Sequence, residues 1–160
     1  MEKHNRGVTL VEMLIVVAII GLIAGISFPA ASSGIDSLRL ASASDSLVSF
    51  LNGALNRAER RQQVVEIVIS PKENAVYARS IEPGFARTLA MPSGVTILSV
   101  LPKMPAEPEG PRGFLLLPGS TVPRIGIEIQ NRKGARRMVR VNPMTGAPEI
   151  ERLAPKEAAE

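Results

Sequence analysis

The residues with the most chemistry in them come first: Arg6-Gly7-Val8-Thr9-Leu10-Val11-Glu12. Glu12 is the lone acid of an apolar run from Val8 to Phe28 that holds no Lys or Arg. A carboxylate in hydrocarbon is costly, so an ionisable group inside a spanning segment reads by default as a functional site. What it can do there is ion-pair with an ammonium. The competing reading is that it only complements the positive end of a helix dipole, worth under about 1 kcal/mol.

No other stretch assembles reactive groups. The single His4 sits in the polar head, and there is no cysteine, so neither a Ser-His-Asp triad nor a Cys-His pair can be built in the body of the chain. No Walker lysine motif or Gly-rich phosphate loop occurs. The carboxylates mostly neighbour Lys or Arg in surface-like stretches, which leaves a hydrolytic acid pair unsupported. Glu107 and Glu109 lie among Pro105, Pro108 and Pro111. Two acids on a stiff loop read as solvated rather than as a Ca²⁺ site, since hard cations want six or more oxygens. The expectation is a non-enzyme with no cofactor and no metal.

The elements that must position Glu12 follow from hydropathy. The run is roughly 20 residues, about 30 Å as a helix, which matches a bilayer's hydrocarbon core. Lys3 and Arg6 precede it and the next basic residue is Arg39. The positive-inside rule then puts the N-terminus in the cytoplasm and the remainder outside. Pro29 removes a helix hydrogen bond and is expected to kink the helix there. Gly21 and Gly25 have a spacing that permits close helix approach, although Gly is common in membrane helices anyway. From residue 30 to 63, Leu40, Ala43, Leu47, Leu51, Ala54, Leu55 and Ala58 repeat at helical spacing, predicting an amphipathic second half with one side on a sheet. Ser32-Ser33-Gly34 and Gly53 are its weak points.

After Gln63 the pattern turns to β. Strands are expected at 64–69, 76–79, 95–101, 113–118, 125–130 and 136–141, with a short last one at 149–151. The alternation of Ile125, Ile127 and Ile129 implies an antiparallel sheet covered on one face. The domain reading is therefore 1–7 leader, 8–29 transmembrane helix, 30–63 amphipathic helix, 64–153 β domain and 154–160 frayed tail. The fold class is α+β: a long N-terminal helix packed on an antiparallel β-sheet domain.

The N-terminal residues resemble the signal of type IV pilins and type II secretion pseudopilins. Gly7, then hydrophobic Val8, then Thr9-Leu10-Val11-Glu12, then an apolar stretch ending near Pro29 all match. The family more often has Phe where this chain has Val8, and minor members vary there. The resemblance implies a type IV pilin-like fold. It also implies that a prepilin peptidase cuts between Gly7 and Val8 and methylates the new amine of Val8. Glu12 would then stand four residues from an ammonium. At about 4 Å and an effective dielectric near 20 that pair gains on the order of 4 kcal/mol before desolvation. The amine could belong to the same subunit or to a neighbour in a filament; both stay open.

The second half resembles the H-type minor pseudopilin (GspH-like) domain shared with FimT-like minor pilins. The carrying residues are Phe114-Leu115-Leu116-Leu117-Pro118-Gly119-Ser120, the Ile125 strand, and Val139-Arg140-Val141 before Thr145-Gly146. The resemblance implies a minor pseudopilin of a type II secretion system, polymerising through its helix into a periplasmic pseudopilus that drives protein export. Its partners would be the peptidase, other pseudopilins, the inner-membrane secretion platform and membrane lipid. The alternative is a FimT-like minor pilin that captures DNA through Arg132, Lys133, Arg136, Arg137 and Arg140. The bland reading of those charges is a solvated hairpin edge. The net charge of +4 and 3% aromatic content do not favour nucleic acid.

Overall fold

The computed structural model describes residues 9–103 and 110–154, and only the backbone of residues 26–33. The leader with Gly7 and Val8, the acids Glu107 and Glu109, and the tail from residue 155 lie outside the described residues. The chain forms two units, Met1–Ile35 and Asp36–Glu160.

Helix α1 spans Leu10–Arg61. Thr9 caps it: its Oγ1 accepts the Glu12 N–H at 3.3 Å, and the Met13 N–H bonds the Thr9 carbonyl at 3.2 Å. Arg60 and Arg61 in the last turn complement the negative end of the dipole. The helix stops at Gln62, which takes φ 51, while the Gln63 N–H reaches back to the Ala58 carbonyl at 3.2 Å. That is a left-handed C-terminal cap with Gln where Gly is usual.

Within the first unit, the helical residues 10–25 are all exposed, from Leu10 at 77% to Val16 at 44% among the large apolar ones. Among the described residues no helix is long and apolar enough to cross a membrane. The run expected to span, residues 8–28, has described side chains only over 9–25.

In the second unit the helical stripe is buried as expected. Leu40, Ala43, Leu47, Leu51, Ala54 and Ala58 are core residues, and Leu55 is partly buried against them. Ser44, on the same face, is buried too and satisfies its hydroxyl on the Leu40 carbonyl at 2.7 Å.

The β residues make eight strands in two antiparallel sheets. They are β1 (Val65–Ser70), β2 (Ala75–Ser80), β3 (Ala86–Ala90), β4 (Val95–Leu101), β5 (Arg112–Leu116), β6 (Gly126–Asn131), β7 (Arg136–Val141) and β8 (Pro148–Leu153). One sheet has the order β3-β2-β1-β5 and the other β4-β6-β7-β8. Strand β3 is absent from the sequence reading, because Ala86-Arg87-Thr88-Leu89-Ala90 has no buried apolar alternation; it is mostly exposed. Val65, Ile67, Ile69, Val76 and Ala78 of the first sheet join Val95, Ile97, Ile127, Ile129, Val139 and Val141 of the second and the helical stripe in one apolar core.

Two polar devices fix how the strands meet. Asn74, at φ 52 in the β1–β2 turn, donates from Nδ2 to the Val95 carbonyl and accepts the Ile97 N–H at Oδ1, both at 2.8 Å. The turn of one sheet is thus bonded to strand β4 of the other. On the second sheet Glu128, opposite the apolar face of β6, is only 9% exposed. Its carboxylate takes Ser99 Oγ at 2.7 Å and Arg136 Nη1 at 2.8 Å.

Replacing Asn74 by Ala leaves the Val95 carbonyl and Ile97 N–H unpaired and keeps a left-handed residue with a Cβ. The expected loss is about 2–3 kcal/mol, read as a lower thermal midpoint of the β signal of the full chain in detergent. Gln62→Gly relieves the left-handed cap and is expected to raise the same midpoint, by up to about 1 kcal/mol of stability.

Candidate functional site

The site is the start of α1. Thr9 stands at the cap and Glu12 three residues on, so the acid occupies the first turn, where unsatisfied N–H groups leave partial positive charge. The Thr-x-x-Glu spacing is a capping-box pattern, a signal in the sequence that the hydropathy reading passed over. The Glu12 side chain is exposed and its carboxylate has no hydrogen bond or ion pair among the described residues. Around it stand exposed Leu10, Val11, Met13, Leu14 and Ile15. The result is a charged acceptor without a partner, set in an apolar surface that nothing in its own unit covers.

Sequence spacing put Val8 and Glu12 on one helical face. Helix α1 begins at Leu10, two residues later, and Val8 is outside the described residues. Pro29 lies within α1 without a break in the helical assignment. Gly21 and Gly25 both face open space: a Cβ added at either meets nothing within 4 Å. Among the described residues nothing occupies their close-approach surface.

Of the five basic residues near the β6–β7 hairpin, the three arginines of β7 do not share one face. Side chains alternate across a strand. On β7, Val139 and Val141 face the core, which puts Arg137 on that side and Arg136 and Arg140 on the other. Arg136 is engaged: Nη1 bonds Glu128 and Nη2 donates to the Ala154 carbonyl at 2.7 Å. It is also shielded, with its side chain 17% exposed. Arg140 pairs with Glu151 at 2.8 Å. Arg132 lies over Gly94, whose missing Cβ would come within 3.0 Å of its Nε. Lys133 N–H, with that of Ala135, is held by Asn131 Oδ1 in the turn, where Gly134 takes φ 80.

Elsewhere some ionisable groups on the surface are paired, as Arg79 is with Glu66. Tyr77 Oη donates to Glu73 at 2.9 Å. That bond raises the phenol above its ordinary value, because losing the proton would break it and set two anions together. Among the described residues no three His, Cys, Asp or Glu side chains gather closely enough to hold a metal.

The family model described as the prokaryotic N-terminal methylation motif matches residues 3–28. No curated protein sequence matches the chain. Among solved structures, the minor pseudopilin EpsH from the Type 2 Secretion System of Vibrio cholerae is similar. Its TM-score is 0.53 with 13% identity, covering 74% of this chain and 99% of that one. At that identity the likeness is one of fold. The chain thus carries the prokaryotic N-terminal methylation motif at its head and, behind it, a type IV pilin-like α+β fold.

Proposed function

We propose that the chain is a minor pseudopilin of a type II secretion system, a structural subunit rather than an enzyme. A prepilin peptidase removes residues 1–7 between Gly7 and Val8 and methylates the Val8 amine. Residues 8–29 then anchor the subunit in the inner membrane, with the N-terminus cytoplasmic and the β domain periplasmic. Other pseudopilins, extracted through the inner-membrane platform, pack against the same helix to build the pseudopilus.

The observation that carries this is the condition of α1: an exposed apolar helix with one unpartnered acid in its first turn. A contiguous apolar surface of that kind marks a membrane or protein interface. In a low-dielectric filament core the acid is tolerable only against a cation. The trimmed amine of a neighbouring subunit supplies one, and this pairing sets the register of the stack. Pro29 bends the helix where it leaves the hydrocarbon. Among the described residues, the only acid of the apolar run is Glu12, which makes it the natural acceptor.

Three outcomes test this. In cells with the peptidase, mass spectrometry of the membrane-extracted protein is expected to show a chain beginning at methylated Val8. Gly7→Glu should leave the leader on. Glu12→Ala should be trimmed normally yet lose recovery in sheared or cross-linked filaments by about tenfold or more, since the register contact is gone while the substrate of the peptidase is intact. An untrimmed wild-type chain overturns the reading.

DNA capture is the competing function. Because Arg136 is held by Glu128 and Ala154, Arg136→Ala with Arg137→Ala is expected to lower thermal stability by about 1–3 kcal/mol. The full chain in detergent should show no duplex affinity that falls steeply between about 50 and 200 mM salt. Steep, arginine-dependent binding would favour the pilin alternative.

A further inference from the structure

Strand β3 ends its sheet, and its ladder with β2 is in known register: Ala86, Thr88 and Ala90 oppose Arg79, Tyr77 and Ala75. The Ser80 N–H bonds the Phe85 carbonyl and the Met91 N–H bonds the Asn74 carbonyl, each at 3.0 Å. Antiparallel ladders alternate, so Phe85, Arg87, Leu89 and Met91 turn their backbone groups toward β2. The N–H and C=O groups of Ala86, Thr88 and Ala90 therefore point away from the sheet, onto an open edge.

Natural edges are normally blocked. Strand β8 carries Pro148, Glu149, Glu151 and Arg152. Strand β4 is occupied by Asn74 and bulged between Ile97 and Ser99. Strand β5 lies between Pro111 and Pro118. Strand β3, which Pro83 and Pro92 flank, has no Pro within it and no bulge, and the outer-face side chains of its edge residues are Ala, Thr and Ala.

The inner side chains of β3 line a groove. Arg87 and Leu89 stand on one side and Leu38, Asp45 and Phe50 of α1 on the other, around a volume of about 620 Å³. Leu38 is 71% exposed. Asp45 and Arg87 are both exposed, and neither has an ion pair or hydrogen bond among the described residues. Unpaired backbone donors beside a groove that is apolar at Leu38, Phe50 and Leu89, polar at Ser42, Ser46 and Ser49, and carries one free charge of each sign describe a strand acceptor.

We propose that the β3 edge accepts an extended segment of a partner protein as an added strand. Every second side chain of that segment enters the groove: a basic one at Asp45, an apolar one over Leu38 and Leu89, and an acidic one at Arg87. This goes beyond the filament reading, since neither leader removal nor helix packing calls for it. A second copy of β3 is the rival occupant; it would bring Ala, Thr and Ala backbones together without matching Asp45 and Arg87 in sequence order.

The test uses the full chain in detergent and two synthetic peptides, Thr-Lys-Thr-Val-Thr-Glu-Thr and its charge-reversed form Thr-Glu-Thr-Val-Thr-Lys-Thr. The readout is amide hydrogen exchange at residues 86, 88 and 90. One charge order is expected to slow those three amides about tenfold, and the other to need a several-fold higher concentration. Thr88→Pro removes an outward N–H that β2 does not use, so protection should vanish while exchange at Val76 and Ala78 stays as in the parent. Thr88→Val should keep it. Arg87→Glu with Asp45→Lys leaves the backbone untouched and should exchange the peptide preference. That variant decides the matter if Thr88→Pro misfolds. No slowing with either peptide, equal slowing with both, or protection that rises with protein concentration alone would overturn the proposal. Trimming at Gly7 and the Glu12 phenotype are scored in separate experiments, so failure here leaves them standing.

Discussion

One constraint governs the molecule: a single helix presents two incompatible surfaces. Its beginning is apolar on every side and finds no cover in its own unit. Its later half is apolar on one stripe only, and that stripe is buried. Burial is worth about 25 cal/mol per Å² of apolar surface, so the second half is held by its own domain. Under the proposed function the first half finds the same gain in lipid or in other helices. Glu12 acquires its meaning from that imbalance. In water it would be an ordinary first-turn acid, whereas in hydrocarbon an unpaired carboxylate is intolerable.

The β domain has to be rigid without a disulfide, since the chain has no cysteine. It achieves this with one shared core and a few polar bonds between parts distant in sequence. Asn74 bonds two residues of β4, which belongs to the other sheet. Glu128 gathers Ser99 and Arg136, and Arg136 in turn holds Ala154 at the end of the described chain. Such networks are strong where water is scarce and every member is satisfied. Arg136 Nε is the exception, buried without a partner among the described residues. One of the five charges considered for DNA capture is thereby committed to architecture.

Edges divide the structural surface from the one left for partners. Proline, charge, a bulge or an asparagine side chain marks three of the four sheet edges, whereas β3 has no proline within it and no bulge, and its one charge, Arg87, lines the groove. Small residues on an edge keep it flat and approachable. The same smallness and exposure erased the strand from a reading based on hydrophobic alternation.

What could be read from the chain alone was whatever depends on near neighbours. The apolar run, the Gly7–Glu12 spacing, the helical stripe from Leu40 to Ala58 and the hairpin turns are all local patterns, fixed by period and by turn chemistry. Even the cap at Thr9 was legible, as a Thr-x-x-Glu box. Tertiary structure alone decided which strands share a sheet, because β5 returns to pair with β1 while β4 crosses to β6, and pairing over that separation leaves no local trace. It also decided the fate of the arginines. Period two predicts that Arg136 and Arg137 face opposite ways, but only the folded chain puts Glu128 beside one of them. Ion pairs form between residues that folding brings together, and a sequence records the charges without recording the distances.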